Sequence, residues 1–411
     1  MQFKDIIGQS DVKQHLVEMV QHNRLSHALL FLGREGSGSL PLAIAFANYI
    51  SLLPDLSKAT QPQEASLFGD APEQVEIKLP ATVAEADAWM EKQVSFGKAQ
   101  QMVHPDIHFS YPVVNKKPGT PPISTDYITE WREFIQSYPY GNVYDWLQFI
   151  GAENKQGNIT AHECNDIIRK LNLKSFESGY KILVLWMPEY LGKEGNKLLK
   201  LIEEPPADTL FILVAESEGQ ILSTILSRCQ LIKIPAIDGA AMEQYLVAKA
   251  NISAEQAKQI ANISEGNYRE VLHLLQHSDE DFHGLLRDWL NAILKNQPIA
   301  VSKTIDEIAR LGREKQKQFL RYFNHLLEEA IRLQVLDGEA REGRLSALSQ
   351  NEQDFALRLN KASGIEQQSA IVEELDKATY YIERNAHAKI LFHALSIKIF
   401  HIVKNNVTIL V

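Results

Sequence analysis

The 411 residues are enough for two to four domains with ample core, and 45% hydrophobic and 23% charged content is ordinary for globular protein. No stretch approaches 18 uninterrupted apolar residues and the start carries Lys4 and Asp5, so neither a transmembrane helix nor a signal peptide is expected, and the expected location is cytoplasmic. A net charge of −10 disfavours an independent nucleic-acid binder, and two distant cysteines, Cys164 and Cys229, cannot build a disulfide framework or a four-cysteine zinc site.

The first element that points to chemistry begins at residue 27. His27-Ala28-Leu29-Leu30-Phe31-Leu32 is a short apolar run of the kind that forms a buried parallel strand. Gly33-Arg34-Glu35-Gly36-Ser37-Gly38-Ser39-Leu40 follows, in the frame of the phosphate-binding loop G-x-x-x-x-G-K-[ST]. Residues 42–50 then read as a helix, with Pro41 where a first-turn proline is tolerated. Strand, glycine loop and helix are the right context. Gly33 and Gly38 keep the spacing and Gly36 keeps the loop pliable. Ser39, however, stands where Lys would neutralise phosphate charge, and Leu40 where a hydroxyl would hold Mg²⁺. The pattern predicts the shape of a nucleotide loop without its two working side chains.

Residues 54–102 hold acids, prolines and alanine-rich helical sequence, and the pairs His15/His22 and His104/His108 are the only suggestive ones for a metal in this half. Pro105 and the alternating pattern place His104 and His108 on an extended segment, so no zinc is expected. Residues 113–155 read as an insertion: an exposed turn at 116–122, then Tyr127, Trp131, Phe134, Tyr138, Tyr140, Tyr144, Trp146 and Phe149. Trp131, Phe134, Ile135 and Tyr138 fall at helical spacing, which predicts a packed helix pair; aromatics interleaved with Lys and Arg would alternatively suit stacking on single-stranded DNA, although Asp126, Glu130, Glu133, Asp145 and Glu153 balance the charge.

A second apolar strand, residues 181–185, ends in Trp186-Met187-Pro188-Glu189. A phosphate-loop hydrolase needs carboxylates at that strand end, and Trp186 and Met187 occupy the positions; Glu189 is read as a solvated side chain. After a third strand, 210–214, comes Ser227-Arg228-Cys229. An Arg at a subunit edge can reach a neighbour's γ-phosphate and stabilise transition-state charge.

Several pieces occur together: Phe3 to Gln9 with its Gly8-Gln9, Arg24 to Ala28, His104-Pro105-Asp106, Glu203-Glu204-Pro205-Pro206, Ser227-Arg228-Cys229 and Gly266-Asn267-Tyr268-Arg269. In this order the chain resembles the clamp-loader subunits of bacterial DNA polymerase III, in the AAA+ superfamily, and within them the delta-prime type rather than the gamma/tau motors, which need an intact Lys-Thr and Asp-Glu. The resemblance implies an α/β AAA+ core with a parallel sheet over residues 1–236, a small helical lid over 237–278, and an all-α collar over 279–411 through which such subunits oligomerise. It implies a chain with no ATPase of its own, belonging to the DNA polymerase III holoenzyme and helping to load the sliding clamp onto primed DNA. It assigns Arg228 as an arginine finger acting in trans on a motor subunit, with Ser227 and Cys229 shaping the turn, and leaves Arg269, the match to the lid arginine, a structural role. Partners would be the gamma/tau and delta subunits, with clamp and DNA reached through the complex, and no resident cofactor. The alternative is an active gamma/tau-like ATPase.

Patterning in the last third is almost wholly helical, with long amphipathic runs at 316–335 and 371–403. Asn385 reads as an N-cap of the last helix. Leu391, Leu395 and Ile399 form one stripe, and Phe392, Ile402 and Val403 suggest apolar surface beyond it, as at an interface.

Overall fold

The computed structural model describes residues 1–54, 79–116, 119, 121–153, 155–250, 252–276, 282–346, 348, 350–383 and 386–405. The chain forms two compact units, Met1–Gln276 and His277–Val411.

In the first unit five strands make one parallel sheet: β1 (Ala28–Gly33), β2 (Ile107–Ser110), β3 (Lys181–Trp186), β4 (Thr209–Ala215) and β5 (Gln230–Ile234), in the order β2-β3-β4-β1-β5. Every residue of β3 and β4 is buried, which is why these strands read as continuous apolar runs rather than as alternation. Successive residues serve two cores. Leu29, Phe31, Ile182, Val184 and Trp186 face the helix Ser39–Ser51, and Leu30, Leu183, Leu185 and Leu213 face Cys164, Ile167 and Leu171. The helix Ser39–Ser51 is buried along its whole length, as expected of a helix that is apolar all round.

Register decides what shares an end of the sheet. Trp186 lies beside Val214, and Val214 beside Phe31, so the ends of β1 and β3 emerge on the same side of the sheet. Leu29 pairs with Gln230 and Gly33 with Ile234, so the chain enters β5 at the opposite end of the strands.

Between β2 and β3 lie the helices Ile128–Ser137, Val143–Phe149 and Ala161–Leu171. The first two carry the aromatic stretch, whose inner rings are committed to packing, while Tyr138, expected in the packed stripe, and Phe149 stay partly exposed at the helix ends. Trp131, Phe134 and Trp146 are fully buried. Trp131 stacks on Tyr111 at 4.0 Å between centroids, meets Trp146 edge-on at 5.3 Å and reaches Trp186 at 5.2 Å. Of the turn at 116–122, residues 117, 118 and 120 lie outside the described residues.

Three helices, Gly239–Lys249, Ala254–Ser264 and Tyr268–Gln276, complete this unit around Ile237, Met242, Leu246, Ala257, Ala261 and Val271. Among the described residues no group of three or more His, Cys, Asp or Glu side chains is arranged for a metal ion.

The second unit is helical, packed around Trp289, Phe319, Phe323 and Phe392. The run 371–403 is two helices, Ile365–Glu383 and Ala388–Asn405; Asn385 lies outside the described residues. One expectation is corrected here. Phe392 and Ile402 do not form surface; both sit in the core of their own unit, because the last helix is packed from several sides. The exposed large apolar residues of that helix are Ile390 and Ile397. Among the described residues no helix is long and apolar enough to cross a membrane.

Candidate functional site: the glycine loop beneath its lid

β1 ends at Gly33, and the helix Ser39–Ser51 starts straight after Gly38. Gly36 and Gly38 sit at φ 72° and 89°, the left-handed region that an L side chain adopts only with strain. Space requires glycine as well. A Cβ on Gly36 would stand 1.8 Å from the Asn267 side-chain oxygen, and one on Gly38 would stand 3.0 Å from the Tyr140 ring. The loop therefore lies directly beneath two covers: the 267–268 turn of the three-helix group, and Tyr140 from the aromatic segment. The Tyr268 N–H also donates to the Gly36 carbonyl at 3.1 Å. Ser39 and Leu40 open the helix, where free N–H groups and the helix dipole favour an anion. Leu40 is buried in the sheet core, so at this position the chain presents an alkyl side chain and no cation.

A buried cation reaches the loop from the three-helix group. Arg269 is 2% exposed. Its Nε and Nη2 donate to the two oxygens of Asp145 at 2.6 and 2.8 Å, and its Nη1 donates to Glu35 at 3.0 Å. A forked guanidinium is suited to such bidentate binding, and burial strengthens each contact. Asp145 is itself positioned by a reciprocal cap: its N–H donates to the Asn142 side chain, and its carboxylate accepts from the Asn142 N–H, both at 3.0 Å. The Asn142 amide donates in turn to Glu35 at 3.0 Å.

Other polar contacts tie the same corner. Gln9 donates its side-chain amide to Ser37 O at 3.0 Å and to Pro235 O at 2.7 Å, joining the glycine loop to the segment that leaves β5. The Tyr140 hydroxyl accepts from the Ile7 N–H at 2.9 Å.

At the end of β3, Trp186 and Met187 are 2% and 7% exposed. Trp186 is a packing surface for Trp131 and Phe134. Glu189 is not the solvated side chain the sequence suggested. Its Oε1 accepts from the Glu216 and Ser217 N–H groups at 2.7 and 2.9 Å, closing the end of β4, and burial raises its pKa above the ordinary value.

Arg228 stands apart from all of this. It follows the short helix Ser223–Leu226 and precedes β5, the strand beside β1, at the end of the strands opposite the glycine loop. A strand of β5's length separates them by roughly 15 Å at 3.3 Å per residue. Its Nε donates to Glu203 at 2.6 Å, its Nη2 makes a second contact to the same oxygen, and its Nη1 donates to Thr224 O at 2.7 Å and to Ser227 Oγ at 3.2 Å. About a third of the side chain is exposed. Ser227 also donates to Thr224 O, so the serine and arginine share one anchor. Burial pushes the Cys229 thiol up to about 11, which keeps it a neutral packing group at the turn.

The structure thus brings Gly33, Gly36, Gly38, Ser39, Leu40 and Arg269 to one corner, sets Trp186 and Met187 at the same end of the strands, and puts Ser227, Arg228 and Cys229 at the other. Glu35, Tyr140, Asn142 and Asp145 complete the corner and were not singled out from sequence as site residues. The Asn142-x-x-Asp145 spacing of a capping box is the one sequence signal that marks where the second aromatic helix starts.

Comparison with known proteins adds a partial similarity. Residues 85–238 match the family model described as DNA polymerase III, delta subunit. The chain is 23% identical over 271 residues to DNA polymerase III subunit delta' of Bacillus subtilis, covering 66% of this chain and 60% of that protein. It is 25% identical over 212 residues to DNA polymerase III subunit gamma of Buchnera aphidicola, covering 45% of this chain and 58% of that protein. It is 27% identical over 207 residues to DNA polymerase III subunit delta' of Yersinia pestis, covering 48% and 58%. The chain spans somewhat less than two thirds of the length of these relatives. With its parallel sheet, glycine loop and three-helix group, the chain is similar to the subunits of DNA polymerase III over the matched part of its length.

Proposed function

We propose that this chain is a non-hydrolysing, delta-prime-like subunit that helps a clamp loader place the sliding clamp on primed DNA and lends Arg228 in trans to a neighbouring motor subunit. Its partners in this reading are gamma/tau and delta subunits in the cytoplasm, with clamp and DNA engaged through the complex and no resident cofactor. The domain plan is the AAA+ one: core 1–236, lid 237–278, collar 279–411. The loop 33–40 is a degenerate nucleotide loop, since Ser39 supplies no cation and Leu40 cannot ligate Mg²⁺, and Trp186 and Met187 stand where a hydrolase needs carboxylates.

The observation that carries the trans assignment is the placement of Arg228 at the far end of the strands from its own glycine loop. An arginine there cannot serve its own loop, yet it is partly exposed and held by a small hydrogen-bonded turn at the sheet's edge strand. The test is reconstitution with motor and delta subunits. Hydrolysis at the site Arg228 completes should fall by about 10³-fold or more with Arg228→Ala, lowering ATP hydrolysis by the complex while assembly is retained. Undiminished hydrolysis in an intact complex would remove the finger assignment.

A second reading, an active gamma-like ATPase, is favoured by the likeness to subunit gamma of Buchnera aphidicola. Magnesium-dependent turnover by the purified chain would decide for it.

A further inference from the structure

We infer that the aromatic segment 128–149 is an internal clasp that closes the cleft over the glycine loop and fixes the 239–276 helices to the sheet, so that nucleotide is kept out by the chain's own side chains and not only by the loss of Lys and Thr. The inference rests on reading residues 33–40 as a former phosphate loop.

The clasp has a root, a hook and a latch. Its root is the ring cluster of Trp131, Phe134 and Trp146 against Tyr111 and Trp186, which anchors both helices to the sheet core. Trp186 thereby gains a role: the residue at the position of a hydrolase's carboxylate is the floor on which the clasp is built. The hook is Tyr140, in the connection between the two helices. It belongs to the apolar cluster of the three-helix group, with Ile7, Ile237, Met242 and Leu246, and not to that of the sheet. Its ring meets Tyr268 edge-on at 4.8 Å and lies over Gly38. The adjoining Gly141 leaves no room for a side chain, since a Cβ would stand 2.8 Å from the Phe134 ring and 3.1 Å from Tyr138 O, so the turn that presents Tyr140 is tightly folded back on its root.

The latch is ionic. Asp145 takes two donors of Arg269, and Glu35, from the glycine loop itself, takes a third. One buried guanidinium thus joins loop, clasp and lid. An incoming polyphosphate would approach two carboxylates, and drawing Arg269 away to meet it would leave both without their cation in a largely buried corner. The N-terminus of the helix Ser39–Ser51 favours anions, but its approach is covered by Tyr140 and the 267–268 turn.

The test uses the full chain with a fluorescent ATP analogue and Mg²⁺, beside hydrogen exchange. Wild type and Ser39→Lys/Leu40→Thr should both fail to bind, and binding should appear when Tyr140→Ala and Glu35→Gln are added to that pair. Independently, Tyr140→Ala/Asp145→Asn should speed exchange of the 239–276 amides by about tenfold or more while β1, β3 and β4 amides are unchanged. Binding by Ser39→Lys/Leu40→Thr alone would overturn the clasp and leave the degenerate-loop reading standing. Binding by wild type would overturn both. Exchange left unchanged, or accelerated equally throughout the sheet, would also overturn the clasp.

Discussion

Arg269 and Asp145, 124 residues apart, form a two-point ion pair with contacts of 2.6 and 2.8 Å, and the arginine is 2% exposed. The pair links the helix Tyr268–Gln276 to the helix Val143–Phe149. Substitution here probes a buried network, where removing one partner costs more than the pair contributes, because the other charge is left behind.

Arg269→Met should destabilise the first unit by about 3–5 kcal/mol, since Glu35 and Asp145 would lose their common cation. Asp145→Asn should cost less, about 1–3 kcal/mol, because an amide oxygen still accepts. Urea unfolding followed by circular dichroism measures both. A loss below about 1 kcal/mol for Arg269→Met would mean that the carboxylates find water instead.

Trp131→Ala should cost about 3–5 kcal/mol, the range for a large buried aromatic. If the segment were only a surface attachment awaiting nucleic acid, the same change would leave the urea midpoint near wild type.

Acid should weaken the first unit through His108. Burial, with Lys170 nearby, lowers its pKa to about 4, so the folded state holds fewer protons than the unfolded chain, where the value is near 6.5. Its contribution is complete above pH 6.5 and is lost as pH falls from there toward 4. Stability should drop by about 1–2 kcal/mol between pH 7 and 5, and His108→Phe should flatten that slope. An unchanged slope in the variant would assign the effect to other groups.

Glu329 offers the opposite probe in the second unit. It is fully buried; burial works to raise its pKa, but Arg344 and Arg332 outweigh this and hold the carboxyl below the ordinary range. Its stabilisation is present above the unfolded value of 4.5 and is lost as pH falls through the lower folded value. Glu329→Gln should cost about 1–3 kcal/mol at pH 7, with the difference from wild type shrinking in acid. A difference independent of pH would contradict the ion-pair account.

Much of the sheet was legible because burial on both faces leaves continuous apolar runs, as at residues 181–185 and 210–214. The glycine loop was legible because its spacing is fixed by geometry. The site's cover was not. Tyr140 and Asp145 lie in a stretch of balanced charge, a pattern shared with any solvated helix, and their partners Gly38 and Arg269 are more than 100 residues away in sequence. Glu189 misled for a related reason: a carboxylate following a strand looks solvent-bound until the N–H groups of Glu216 and Ser217 fold against it. In the last helix, periodicity marked Leu395 and Ile399 as core but could not show that neighbouring helices also cover Phe392 and Ile402 while leaving Ile390 and Ile397 exposed.

The central claim is a subunit that does not turn over ATP yet enables its neighbour to do so. The most direct measurement is ATP hydrolysis by the purified chain alone, then with motor and delta subunits, for wild type and Arg228→Ala. The account predicts no turnover alone, turnover in the wild-type complex and lower turnover in the variant complex. Turnover by the chain alone, or equal rates in the two complexes, would contradict it.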